Sequence, residues 1–223
     1  MKKIFLSAFL LVSVVQVLAT LMDMPIVHYF SKPLITITLG IYYALSVDTK
    51  DRSRVVLLAL CFSFLGDTFL LFPGEMYFML GLGAFLVAHL FYIFAYKQHR
   101  GEDVRDALQG VQRTRLAFPI ILAGAGLVVI LYPTLGDLKF PVVTYTIVIL
   151  AMVLNALFRF GRTSSTSFWL VFAGALLFMA SDSMLAINKF LSPFSYAHTW
   201  IMFTYCAAQL FIIQGLIKHF NTK

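Results

Sequence analysis

Charge is scarce in this chain. Only 12% of its 223 residues are charged, while 61% are hydrophobic. A soluble domain carries roughly 25% charged and about 45–50% apolar residues. That deficit leaves almost no room for a soluble domain. Cysteine is rare too. Cys61 and Cys206 stand inside apolar runs without the CxxC spacing of a metal or redox site, and both read as small buried packing residues. There is no GxSxG and no HExxH, so the usual hydrolytic signatures are missing. No low-complexity linker marks off a second domain. The economical reading is an all-α, polytopic membrane bundle, one integral domain over residues 1–223.

What the chain has in quantity is apolar run. Eight stretches approach the ~20 residues a helix needs to cross a bilayer. They cover residues 4–22, 33–47, 55–72, 76–96, 116–131, 140–158, 168–187 and 196–217. Lys2 and Lys3 before the first run also fit a signal peptide. A retained helix is preferred, because the run is long for such a segment and Asp23 and Pro25 fit a following loop. Lysine and arginine then set the orientation. Of the 17 Lys and Arg, only Lys32, Lys139 and Lys189 fall on the side opposite the termini. The other fourteen lie at the two termini and in the even-numbered connections, including Arg105, Arg113 and Arg115 between runs four and five and Lys223 at the end. This bias predicts eight transmembrane helices with both termini cytoplasmic, in the cell membrane (the inner one if the source is bacterial). The net charge of +7 is thereby a topology signal, with basic loops touching lipid headgroups. Nucleic-acid binding is not expected.

Two carboxyls break the apolar runs. Asp67 lies in CFSFLGDTFLLF and Asp182 in GALLFMASDSMLAI. Insertion scales put the penalty for Asp at a helix centre at about 2.5–3.5 kcal/mol. Each follows a small residue and precedes a hydroxyl, as Gly66-Asp67-Thr68 and Ser181-Asp182-Ser183. Both fall in the outer half of odd-numbered spans, a placement that a four-plus-four helix repeat would also produce. Asp182, flanked by Phe178, Met179 and Met184, reads as the drier.

Polar side chains line up on several of the predicted helices. His198, Met202, Tyr205 and Gln209 share one face of span eight, and Gly81, Phe85, His89, Tyr92 and Tyr96 share one face of span four. Span two begins with Lys32-Pro33 at the outer boundary, and span six offers Tyr145, Asn155 and Arg159. Such faces turn into the bundle or a wet cavity. Each has a plainer account. Tyr42, Tyr43, Tyr92, Tyr96 and Tyr132 stand near span ends, where tyrosine is common. Gly81, Gly83, Gly124, Gly126, Gly174 and Ala175 serve close helix packing. His89 and Gln209 pair across helices, Lys32 snorkels outward, and Arg159 anchors the inner edge. A metal site from Asp67, Asp182, His89 and His198 finds no support in their spacing. Neither metal nor cofactor is expected.

Chemically, two approaching carboxyls out of water split their proton affinities, leaving one protonated and one ionised. That supplies an acid and a base without metal or nucleophile. Glycosides and vinyl ethers both react through an oxocarbenium-like cation and suit such a pair. A vinyl ether needs protonation at carbon, after which water attacks.

The GDTFLLF segment, the GxGxFxxAHxxY run from Gly81 to Tyr92, ASDSMLAINKF, YCAAQLFI and the Lys32-Pro33-Leu34 entry together resemble the YhhN-type lysoplasmalogenase family. The likeness covers essentially the whole chain and rests on the order of these motifs. It implies an eight-helix enzyme that hydrolyses the sn-1 vinyl ether of lysoplasmalogens. Products would be a fatty aldehyde and glycerophosphoethanolamine or glycerophosphocholine. It implies that Asp67 and Asp182 match the family's intramembrane acids, and that Lys32, His89, Tyr205 and Gln209 match supporting polar positions. Its partners would be a lysophospholipid substrate and the surrounding membrane lipids; the oligomeric state stays open. The residues alone also admit a proton-coupled transporter or a non-catalytic lipid-binding protein.

Topology is the first test. A reporter that matures only in the cytoplasm should be active when fused after Lys223. Activity confined to a reporter that works outside the cytoplasm would overturn the assignment.

Overall fold

The computed structural model describes residues 1–102 and 106–220. Arg105 and Lys223, two of the basic residues used for the orientation, lie outside these. Every regular element described is helical. In chain order they are α1 (Lys2–Leu21), α2 (Pro25–Ser46), α3 (Arg54–Phe69), α4 (Glu75–Gln98), α5 (Gly110–Leu131), α6 (Lys139–Leu157), α7 (Ser165–Ala186) and α8 (Ala197–Phe220). Two 3₁₀ turns join α5 to α6, and a π-helical turn, Ile187–Leu191, extends α7.

Six of these helices, α1 and α4 through α8, are long and apolar enough to cross a membrane. The chain is thus a multi-pass membrane protein. The other two helices, α2 and α3, show a weaker membrane signature. α3 has only 16 residues, and α2 carries His28, Ser31 and Lys32 in its first half.

Neighbouring pairs trace a closed circuit, α1–α2–α3–α4–α6–α7–α8 and back to α1. The fifth helix stands outside this ring against α6. Its most membrane-like stretch is 22% buried, against 61% for α8, so α8 is the axis of the bundle. Small residues bring α7 and α8 together. A Cβ on Gly174 would come within 2.9 Å of the Ala208 carbonyl oxygen, and one on Gly215 within 2.9 Å of the Val171 nitrogen. The packing role read for Gly81, Gly124, Gly174 and Ala175 is therefore met. It is not met for Gly83 and Gly126, where a Cβ would reach nothing within 4 Å.

Three boundaries differ from the sequence reading, each for a local reason. The second helix begins at Pro25, eight residues before the expected start. A proline suits the first helical turn, where its missing N–H costs nothing, and Pro33 falls inside the helix. At the other end of the bundle, α5 starts at Gly110. Arg113 is thereby helical, with its guanidinium 3.8 Å from the Phe158 ring centre. The connector before it is shorter than the span 97–115 expected, and it is tied down. Gly161 takes φ +68° where a Cβ would meet the Asp106 carbonyl oxygen at 2.0 Å, and Gly101 N–H donates to the Arg162 carbonyl. Third, the seventh helix, expected to end at residue 187, is carried on to Leu191 by the π-helical turn.

Side-chain roles shift accordingly. Arg159 is fully buried, so it is no interfacial anchor. Its Nε and Nη2 donate to the His99 carbonyl at 3.2 and 3.0 Å, and Nη2 also donates to Ser167 Oγ at 2.9 Å. It clamps the end of α4 to the start of α7. Burial lowers its guanidinium to about 10, which leaves it charged at neutral pH. Tyr43, Tyr92 and Tyr96 are likewise fully enclosed, which removes the interfacial reading for them, while Tyr132 is half exposed. Cys206 is buried as expected; Cys61 is exposed.

Candidate functional site

A cavity of about 400 Å³ opens at the end of the bundle that carries the α1–α2, α3–α4 and α7–α8 connections. Its walls include Asp67, Asp182, Lys32, His198, Tyr205, His28, Asn188 and Lys189. That volume lies in the ~300–1,000 Å³ range of small-molecule sites. The arrangement follows from helix ends. Asp67 sits on the last turn of α3 and Asp182 near the end of α7, whereas Lys32 and Tyr205 sit early on helices running the other way.

Each carboxyl is held by a phenol. Tyr205 donates to Asp67 Oδ2 at 2.6 Å. Behind it, Gln209 Nε2 donates to the Tyr205 oxygen at 3.2 Å, and Tyr92 donates to Gln209 Oε1 at 2.6 Å. The three bonds point the same way, from α4 through α8 to α3, and the Asp67 carboxyl is the final acceptor. Tyr145 on α6 donates to Asp182 Oδ2. His89 lies beside this second carboxyl, its Nε2 3.9 Å from Oδ2. That is beyond hydrogen-bond range. The imidazole is wedged edge-on between Phe178 and Tyr145, at centroid distances of 4.7 and 5.3 Å. Neither ring nitrogen has a hydrogen-bond partner among the described residues. Leaving a buried polar group unpaired costs about 1–3 kcal/mol.

Lys32 lies deeper than the outer boundary expected for it. It stands in the second turn of α2, only 8% exposed, and lines the cavity. It shares the cavity wall with Asp67. It does not snorkel. His28, one turn earlier, accepts at Nδ1 from Gln16 Nε2 at 2.7 Å, so the neutral imidazole carries its proton on Nε2. Gln16 is itself fully buried on α1. Asp182 also departs: its side chain is 16% exposed, while Asp67 is 1% exposed. The carboxyl flanked by Phe178, Met179 and Met184 is the more open of the two, because it faces two cavities at once.

All seven expected site residues thus gather at one end of the bundle. Asp67, Asp182, Lys32, Tyr205 and His198 line the cavity; His89 and Gln209 stand directly behind the two carboxyls. His198 is exposed at the mouth. Sequence reasoning had Tyr92 and Tyr145 on inward faces without partners and missed Gln16 and His28. Gln16 is an amide in an otherwise apolar run, and that was the signal available. Among the described residues, no three His, Cys, Asp or Glu side chains group closely enough to hold a metal ion.

Comparison with known proteins bears on what this site does. A family model described as the YhhN family matches residues 27–216. Human "Lysoplasmalogenase TMEM86B" is 34% identical over 160 residues, covering 72% of this chain and 62% of that protein. "Lysoplasmalogenase" of Mycobacterium tuberculosis is 36% identical over 160 residues, 70% of this chain and 58% of that one. Human "Lysoplasmalogenase TMEM86A" is 32% identical over 185 residues, 80% and 70% respectively. The matches span about three fifths of the length of the first two relatives. No solved structure matches.

Proposed function

The chain belongs to the YhhN family, and from that premise we propose that it hydrolyses the sn-1 vinyl ether of lysoplasmalogens. The products are a fatty aldehyde and glycerophosphoethanolamine or glycerophosphocholine. One observation carries the reading: two carboxyls face a single cavity, each held by its own phenol. With both termini cytoplasmic, the cavity opens on the outer face of the cell membrane. It is one-sided. Tyr92, Tyr96, Phe178 and Met152 are fully buried and fill the bundle beyond it, which favours a hydrolytic pocket over a transport path.

The two carboxyls take different parts. Asp67 receives a one-way run of donors and shares the cavity with a buried ammonium. Both features suit a carboxylate. Asp182 receives Tyr145 on Oδ2, which leaves Oδ1 to carry a proton. It also borders the apolar crevice described below, where the alkenyl chain would lie. The carbon to be protonated is the second of that chain, so Asp182 is assigned as the acid. The π electrons of the vinyl ether form the new C–H bond with its proton, and positive charge appears on C1 and the ether oxygen. Asp67 stabilises that cation across the cavity and takes a proton from the water that attacks C1. The hemiacetal then collapses. The glycerol oxygen leaves with the proton from Asp67, and the hemiacetal hydroxyl returns its proton to Asp182 as the aldehyde forms. His89 packs against Tyr145, whose phenol holds the Asp182 carboxyl. Tyr205 and Gln209 position Asp67.

Lys32 supplies the charge for the phosphodiester, assisted by the Nε2–H of His28, by Lys189 and by His198 at the mouth. Lys32 lines the cavity wall, where an ammonium can meet an anion in a charge-assisted hydrogen bond. Lys32→Met should raise KM for a lysoplasmalogen at least tenfold, about the worth of one charge-assisted hydrogen bond, while KM for an alkenyl glycerol without phosphate stays nearly constant. Equal effects on both substrates would remove Lys32 from headgroup binding.

The carboxyls are tested by Asp67→Asn and Asp182→Asn, assayed as aldehyde release over a panel of lysolipids. Losing a general acid or base costs about 10²–10⁴-fold. Each single variant should fall at least that far, and the double variant little further, because groups that act as a unit are non-additive. Variants are compared at matched thermal stability. If either retains more than about a tenth of wild-type activity, the paired-carboxyl mechanism fails.

A further inference from the structure

A second, narrow crevice runs from Asp182 away from the polar cavity. It lies between α4, α5, α6 and the end of α7, and its own walls are almost wholly apolar: Leu82, Leu127, Val142, Ile149, Leu150 and Met179, with Gly124 at one side. It meets the polar cavity at Asp182, Leu70, Phe78, Phe85 and Leu185, which line both. We infer that this crevice is the binding site for the hydrocarbon chain of a single-chain lipid, and that it reads the carbons nearest the reacting bond while the chain's far end stays in the bilayer. The inference rests on the hydrolase reading for the identity of that bond.

Three observations lead there. The first is continuity. A one-chain lysolipid has a charged head, a reacting linkage and an apolar tail in that order; the polar cavity, Asp182 and the crevice follow the same order in space. The second is size. The crevice holds about 60 Å³, too little for a complete fatty chain, so only the proximal methylenes are gripped. The third is the peripheral place of its outer wall. The fifth helix stands outside the ring, packed on α6 and touching the π-helical turn. It gives the chain a way out into lipid between α5 and α7 at little loss of packing. Gly124 sets the width at this wall. A Cβ there would stand 2.7 Å from both terminal carbons of Leu150, across the α5–α6 contact. Any larger residue would push Leu150 into the crevice.

A competing groove exists between α1 and α8, of about 340 Å³, lined by Phe9, Val14, Phe203 and Leu210. It is roomier, yet neither carboxyl lines it. The test separates the two. An uncleavable lysolipid, with a saturated ether chain bearing a diazirine about five carbons from the oxygen, is photolysed with the purified full-length protein and the adducts are mapped. Label on Leu127, Ile149 or Leu150 is expected. Label on the α1–α8 groove, or spread over the outer surface, would overturn the inference. In parallel, Gly124→Val should lower the ratio of kcat/KM for a long-chain vinyl ether over that for a two-carbon one, by about fourfold for each methylene it excludes. Leu127→Ala should raise acceptance of a chain methyl-branched beside the vinyl group. An unchanged ratio with folded Gly124→Val protein, or label unaffected by excess natural lysolipid, would also refute it. If the wild type cleaves no vinyl ether, the hydrolase reading fails by itself, and the labelling still decides whether the crevice binds a chain.

Discussion

The structure is organised around the difficulty of keeping two carboxyls inside an apolar bundle. Each costs about 2.5–3.5 kcal/mol at the centre of an isolated inserted helix. The surrounding fold offsets this with a phenol on each carboxyl, Lys32 on the wall of the same cavity as Asp67, and a relay of donors behind that carboxyl. These partners come from four different helices: α2, α4, α6 and α8 reach toward the ends of α3 and α7. No helix pair could supply them alone, which is why the site needs the closed ring. The most buried helix, α8, contributes both Tyr205 and Gln209 from one face.

Polarity has a price in the membrane signature. Lys32 and Asp67 belong to α2 and α3, the two helices outside the six that are long and apolar enough to span by themselves. Packing on their neighbours replaces what they lack in apolar length. The same division explains the two cavities. The polar one is walled by helix ends that carry site groups. The apolar crevice lies where the peripheral α5 meets α6 and the end of α7.

Much of this was readable in the residues. Apolar runs located eight helices, and the misplaced carboxyls pointed to the cavity that both of them line. The steps of three and four placed Tyr205, Gln209 and His89 on inward faces, where the structure has them. The errors share one cause: local pattern cannot report which neighbour a side chain meets. Pro33 looked like a helix start, so Lys32 was placed at the outer boundary when it lies within α2 and faces Asp67's cavity. Apolar flanks made Asp182 look drier than Asp67, although cavities that form only between helices leave it more open. Tyr145 and Tyr92 showed their faces but not their partners, which lie 37 and 117 residues away. Gln16 and His28 depend on the α1–α2 hairpin, and no spacing rule links them.

The central claim is that Asp182 delivers a proton to the second carbon of the alkenyl chain, ahead of water attack at the first. Hydrolysis in D₂O tests it directly, with the aldehyde trapped at once as its oxime so that later exchange is excluded. The account predicts one deuterium at C2 of the trapped aldehyde, delivered to one face, and slower turnover in D₂O than in H₂O. An aldehyde without deuterium at C2, or with deuterium divided equally between the two faces, would contradict it.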